Sequence, residues 1–558
     1  MKNKMYNDSS IKRHATGKRV SPGSFGRICN HSSILLAIYF SFFIFHFSFL
    51  SAQTPTENLG RAMSLLDATI AKSFTGTDMK MYDTYDTSTH RGSGTADVWP
   101  YTAALEATCS VLEALDALRA DQPVLYDEHH DRYVTLLRSL FDNLGYYRGS
   151  YRLFSYAHRG SWSIYGVHRA GRKGGATVTG IENVYDDQMW LCRELVRAYR
   201  LTADADYLTE ATMLADYCID GWDCCLDKNG NEYGGISWGP GYNSKHSCSN
   251  APLIQPLAWL HDIYATPDEA ADYTYNYIAP DSSRLSTQRL RSEVYLEFAR
   301  KLYAWQKEKL LNRSTGVYYD MLGADNTIKY VIAPDGLRYR THVDTGNPGG
   351  TAFTYNTGTM LAGTAELYRL TADADYLADL RKLCTASYNQ FSRAKRIDGI
   401  RYQQWPTDAA ATSGFNCWFN DVLMRAAVDA WIYDATGAAR ILQSFQTNLD
   451  YAWERYLTDD GFLPINLLEG WGESTVTKGF HQLAFAAEYA MLAVWQQRVL
   501  LADGIAAPAA DTLPFPADGL PFPDGAAPAY TPGGQRLTTT PDAPAGILIT
   551  RGHKYIVR

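Results

Sequence analysis

The decapeptide YRLTADADYL stands twice in the chain without change, at residues 199–208 and 368–377. Each copy closes one amphipathic stretch, turns on Ala-Asp and opens another, the layout of a helical hairpin with a very short connector. Its recurrence restricts the chain to an architecture that repeats such hairpins. AALEATCSVLEALDAL, QMWLCRELVRAYRL, SEVYLEFARKLYAWQKEKL and HQLAFAAEYAMLAVWQQ place apolar residues at helical spacing, and no comparable series of alternating strands competes with them. Twelve helices are expected, starting near Thr56, Trp99, Tyr126, Tyr185, Asp206, Asn250, Thr287, Tyr355, Tyr376, Phe415, Ala438 and Gly479. Links after even-numbered helices are mostly short, while those after odd-numbered ones are long: 145–184, 220–249, 311–354, 392–414 and 458–478. Alternate connectors of an up-and-down array share an end, so one end is tightly turned and the other carries the long loops, where function concentrates. The expected fold is all-α, an (α/α)6 toroid of six helical hairpins with its cleft at the loop-rich end.

The two ends of the chain read differently. Seven basic residues from Lys2 to Arg27 precede an apolar run from Ile34 to Leu50 and then Ser-Ala-Gln, the order of a signal peptide. Residues 1–52 are therefore expected to be a signal peptide with a basic lead, cleaved after Ala52, with a membrane anchor as the alternative since the run approaches spanning length, and the protein to be exported to periplasm, cell surface or medium. No membrane span is expected once it is removed, and no cysteine follows the apolar run to carry a lipid. Residues 53–503 are expected to form the (α/α)6 helical domain, 504–545 a proline- and glycine-rich linker, and 546–558 a short β-type tail in which Arg551-Gly552 turns a hairpin.

Losing seven basic residues and one acid takes the formal charge from −8 to −14. An acidic body argues against nucleic acid and polyanionic partners and suits a neutral substrate. Thirteen tryptophans and 39 tyrosines suit sugar rings, whose C–H faces stack on aromatic planes, and equally suit a core. Cys224, Cys225, His246 and Cys248 fit no zinc spacing, so no metal or other cofactor is expected, and the cysteines are read as disulfides or buried thiols.

In IENVYDDQMWLC, two carboxylates stand side by side at the start of the fourth helix, on the loop-rich end. Asn183 as a cap and acids in a first turn explain them structurally. The control pair Asp459-Asp460 precedes Gly461 and reads as a turn. Chemistry explains the first pair differently. Glycoside hydrolysis needs two carboxyls flanking the bond, about 5–5.5 Å apart for retention, and their repulsion keeps one protonated while the other is ionised.

The segment YDDQMWLCRELVRAYRLTAD, with GGISW at 234–238, KHSCSNAP at 245–252 and FTYNTGTMLAGTAELYRLTAD from 353, resembles glycoside hydrolase family 76, the endo-α-1,6-mannanases. Thr357 and Ser237 depart from that pattern, as does DVWPYTAALEA, which bears on linkage and decoration rather than on the reaction. The resemblance implies a retaining, endo-acting enzyme on the α-mannan backbone, acting as a monomer, with Asp186 as nucleophile and Asp187 as acid/base. Tyr185, Trp190, Gly235, Trp238, Asn250, Tyr355 and Asn356 are the expected substrate-binding residues, each with a core, capping or turn role as its structural alternative. His481 is read as structural. The competing functions are another (α/α)6 carbohydrate enzyme (transglycosidase, glucuronyl hydrolase or lyase) and a non-catalytic glycan-binding protein.

Overall fold

The computed structural model describes residues 54–325, 327–407 and 416–502, and the strands Ala529–Tyr530, Arg536–Leu537, Gly546–Thr550 and His553–Val557. The expected signal peptide and most of the expected linker lie outside these residues. Gly546–Thr550 pairs antiparallel with His553–Val557.

Among the described residues twelve α-helices follow one another: α1 Pro55–Ser73, α2 Val98–Leu118, α3 Pro123–Asn143, α4 Tyr185–Thr202, α5 Ala205–Asp220, α6 Ile254–Tyr264, α7 Arg291–Leu310, α8 Thr354–Thr371, α9 Ala374–Phe391, α10 Asn416–Ala430, α11 Ala435–Tyr456 and α12 Gly479–Ala502. The even-numbered helices pack in sequence, α2 on α4, α4 on α6 and so on to α12, which returns to α2 and closes an inner ring. Each odd-numbered helix packs on the outside of a neighbouring inner one. The result is the (α/α)6 toroid.

Residue pattern explains which helices go inside. All residues 479–495 of α12 are buried, as a helix covered on every side requires. The outer α11 buries Ala438, Ile441, Leu442, Phe445, Leu449 and Ala452, a single stripe at helical spacing. The repeated decapeptide makes the same turn twice. Ala203 and Ala372 end their helices at φ 57° and 52°, and Asp204 and Asp373 cap the next by accepting from the amides of Asp206 and Asp375 at 3.0 and 2.9 Å.

Two expectations change. The sixth helix does not start at Asn250; two 3-10 turns, Ser247–Ser249 and Ala251–Leu253, come first. The connector 265–290 is long although it follows an even-numbered helix, and it carries an antiparallel hairpin, Tyr273–Ile278 with Arg284–Arg289.

The ring interior is ionic beneath an aromatic layer. Arg425 of α10 pairs with Glu106 of α2 and lies 3.5 Å from Glu194 of α4 and 3.5 Å from Asp421. Arg197 pairs with Glu194 at 2.6 Å and with Glu113 at 2.8 Å. Burial works against the charge on Glu106, but Arg425 and Arg193 outweigh it and hold its carboxyl below the usual range. The eight described cysteines are free and buried. No described helix is long and apolar enough to cross a membrane.

Candidate active site

Because the inner helices run parallel, their N-terminal turns meet at the loop-rich end. Trp99 of α2, Trp190 of α4, Tyr355 of α8, Trp418 and Phe419 of α10 and Phe480 of α12 form one aromatic layer there. Trp418 receives Trp190 edge-on at 4.6 Å and Trp99 at 5.2 Å, and Tyr355 lies 4.5 Å from Phe419. The Trp418 indole donates to Glu106 at 2.6 Å, which ties this layer to the charges below.

Asp186 and Asp187 occupy the first turn of α4, above the layer. Val184, not Asn183, is the N-cap residue, and no side chain caps the helix. Asn183 instead accepts from the Gly180 amide and donates to the Tyr217 hydroxyl at 3.1 Å, holding the preceding loop. Asp186 therefore meets its own partners: one oxygen accepts from the Trp238 indole at 3.2 Å and the other from the Asp187 amide at 3.0 Å.

The two carboxyls differ in environment. Burial pushes Asp186 up to about 6, and hydrogen bonds from Trp238 and Cys248 limit the rise. Burial, together with the neighbouring charges of Asp186 and Asp97, lifts Asp187 well above the carboxylate range. One acid thus ionises readily while the other holds its proton, the division that acid-assisted nucleophilic chemistry uses.

Trp238 and Tyr355 join the pair. Trp238 is flanked by Tyr242 at 4.7 Å and by the stacked ring of His246 at 5.1 Å. The Tyr355 hydroxyl donates to Asp320 at 3.4 Å. Burial raises Asp320, opposed by hydrogen bonds from Tyr355 and Asn356. Burial holds the His246 imidazole neutral, down to about 4. Asn356 is fully buried at the start of α8.

The other expected sugar contacts have structural roles. The Tyr185 ring is buried on Tyr217 at 4.9 Å and fills the space a Cβ on Gly221 would need. Trp190 is enclosed by Trp418 and Tyr355 in the aromatic layer. Gly235 has φ +76°, and a Cβ there would fall 2.3 Å from the Trp305 ring, so its glycine serves packing rather than ligand approach. The Asn250 amide bonds both backbone groups of Ile236, at 2.7 and 2.9 Å, and the His246 carbonyl at 2.8 Å. Lys245 completes this support by reaching Asp223 at 2.8 Å and the Gly234 carbonyl. Asn250, Lys245 and Gly235 therefore hold the loop that delivers Trp238 to Asp186.

The control pair behaves as a turn. Gly461 has φ +79°, and Asp460 is held by Lys72, by His90 at 2.8 Å and by the Tyr85 hydroxyl at 3.4 Å. Burial would raise its carboxyl, but the hydrogen bonds of Lys72 and His90 win and lower it. His481 is buried and neutral, lowered to about 3 by burial. Asp320, which lies in the 311–353 loop, gave no sequence signal, being a lone acid among tyrosines.

The sequence model of glycosyl hydrolase family 76 matches residues 170–499. No curated protein matches the chain significantly. Among solved structures, a family 76 glycoside hydrolase (mannosidase) of Bacteroides thetaiotaomicron superposes with TM-score 0.57 at 20% identity, over 80% of this chain and 99% of that one. An inactive variant of an α-1,6-mannanase from a Salegentibacter species, in complex with α-1,6-mannotriose, gives 0.52 at 19% identity, over 78% and 99%. A GH76 α-mannanase of Bacteroides thetaiotaomicron gives 0.52 at 17% identity, over 80% and 97%.

Proposed function

The chain belongs to glycosyl hydrolase family 76, and from that premise we propose that it is a retaining endo-α-1,6-mannanase whose nucleophile is Asp186 and whose acid/base is Asp187. The observation that carries the roles is the unequal setting of the pair: Asp186 takes hydrogen bonds from Trp238 and from the Asp187 amide, while Asp187 is raised further by the charge beside it. In the first step an oxygen of ionised Asp186 attacks the anomeric carbon. Asp187 gives its proton to the departing glycosidic oxygen, and a glycosyl-aspartate ester forms. In the second step Asp187 takes a proton from water, which attacks the same carbon, releases Asp186 and restores the starting configuration. The hydrogen bonds to Asp186 fix its orientation for both attacks. Trp238 and Tyr355 are the groups we assign to the sugar beside the bond, and the buried Asn356 supports them through its hydrogen bond to Asp320.

The substrate assignment is supported by the α-1,6-mannotriose bound to the Salegentibacter relative. The acidic body agrees, since a neutral polysaccharide suits it better than a polyuronate. The enzyme acts after export, as a monomer; N-terminal sequencing of the natural protein that begins near Met1 overturns the export reading. The functional test is incubation with linear α-1,6-mannan and branched yeast mannan. A ladder of oligosaccharides is expected, and NMR should show the α-anomer of the new reducing ends first. Mannose as sole product overturns endo action, and β-anomer first overturns retention.

A further inference from the structure

The hairpin in connector 265–290 is an addition that closing the toroid does not require. It lies along the outer α7, with Tyr273 against Tyr295 at 6.2 Å and Tyr275 against Phe298 at 6.2 Å. Its tip reaches the loops of the other end, where the Arg284 guanidinium donates to the Tyr156 carbonyl at 3.4 Å. Between this hairpin, the end of α5 and the strand Arg159–Tyr165 lies a cavity of about 370 Å³, within the size range of small-ligand sites. Trp162, Trp222, Tyr275 and Phe298 line it with rings, and Trp162 and Tyr275 are the two only partly buried.

The polar groups of the cavity are largely paired, three carboxyls against a guanidinium and an imidazole. Asp220 pairs with His158 at 3.1 Å, and that carboxylate raises the imidazole. Asp216 pairs with Arg291 at 2.7 Å, and Arg291 lies 3.7 Å from Asp272. Partly exposed aromatic planes beside paired charges match a neutral ligand rich in hydroxyls better than an ion or an apolar chain. The catalytic pair lies on the other side of two rings, because Trp162 packs on Tyr217 at 5.5 Å and Tyr217 on Tyr185, the neighbour of Asp186.

We propose that this outer-wall cavity is a second glycan-binding site, which holds one or two hexosyl residues of the polysaccharide against Trp162 and Tyr275 while the chain is cut elsewhere. That the hexose is mannose rests on the function proposed above; the site itself rests on the cavity. Tethering of this kind raises the local concentration of chain at the catalytic end and acts on polymers, not on short substrates.

The test uses the full chain in two forms. In an Asp186→Asn, Asp187→Asn background, migration is followed through native gels containing linear α-1,6-mannan, β-glucan or no glycan. With the catalytic pair intact, kcat/KM is measured on the polymer and on mannotetraose. Trp162→Ala and Tyr275→Ala should lose retardation and polymer kcat/KM several-fold and leave mannotetraose unchanged, while Tyr275→Phe retains both. Thr274→Trp, at the exposed rim, blocks the cavity without removing a packed ring and should behave as Tyr275→Ala, which covers the case that Trp162→Ala does not fold. Unchanged retardation in these variants, or equal loss on polymer and tetraose, overturns the site. Absence of mannan cleavage by the parent overturns the mannanase assignment alone. In that case the site stands if a neutral glycan retards the parent and not the variants, and falls if none does.

Discussion

At the residue scale the proposed catalytic pair is costly to stability, and this separates it from a helix cap. Asp187 carries a folded-state carboxyl raised well above its unfolded value by burial and by Asp186. A carboxyl shifted upward favours the folded state while protonated and works against it as pH climbs from about 4 toward the raised value. Asp187→Asn cannot ionise, so its Tm should match or exceed the parent's and the gap should widen with rising pH, while turnover on mannan is largely abolished and substrates with good leaving groups are spared. A cap would give the opposite, a loss of about 0.5–2 kcal/mol with activity kept. Differential scanning calorimetry across pH, beside rate assays, decides between them. Trp238 sets the other limb of the profile. Its indole donates to Asp186 and lowers that carboxyl, so Trp238→Phe should move the acidic limb of kcat/KM, expected near pH 6 in the parent, to higher pH. An unmoved limb with reduced rate would reduce Trp238 to a wall of the site.

At the element scale the helices were legible because their signals are local. Apolar spacing and the Ala-Asp turn sit inside each segment, and eleven of the twelve starts can be compared with the structure without any loop being known; Phe415 lies outside the described residues. Where local signals failed, loops had taken over. The turn before α6 departs from a helix because the Asn250 amide bonds the Ile236 backbone, a partner fourteen residues away that no pattern predicts. The hairpin 273–289 carries a local signal in the alternation of Tyr273, Tyr275 and Tyr277 with polar residues, but its second strand, Arg284–Arg289, is mostly polar and gives none. Asp320 joins the site only because the 311–353 loop folds back against Tyr355, and between ligand contact and a turn for Gly235 the sequence holds no sign of the Trp305 ring that crowds it. Gly235→Ala tests that correction. Positive φ and the ring at 2.3 Å should destabilise by about 1–3 kcal/mol, and displacement of Trp238 should shift the acidic pH limb as Trp238→Phe does. A variant with parent-like Tm would mean the ring yields freely.

At the scale of the whole molecule, three inner helices are joined by the buried charges of Glu106, Glu194 and Arg425. Removing one member leaves the others unpaired in a dry interior, so Arg425→Met should cost about 3–5 kcal/mol. It should also lower kcat, because the Glu106 carboxylate, which anchors Trp418 through one oxygen, loses Arg425 from the other; urea unfolding and rate assays check both. The repeated turn has a different kind of consequence. Ala203, Ala205 and Asp206, like Ala372, Ala374 and Asp375, are exposed, and both turns lie on the end opposite Asp186 and Asp187. One antibody against that decapeptide therefore finds two epitopes per molecule, and a surface coated with it would capture the protein by both at once, base down. Mannan arriving from solution would then meet the end that carries Asp186 and Asp187 on every immobilised copy.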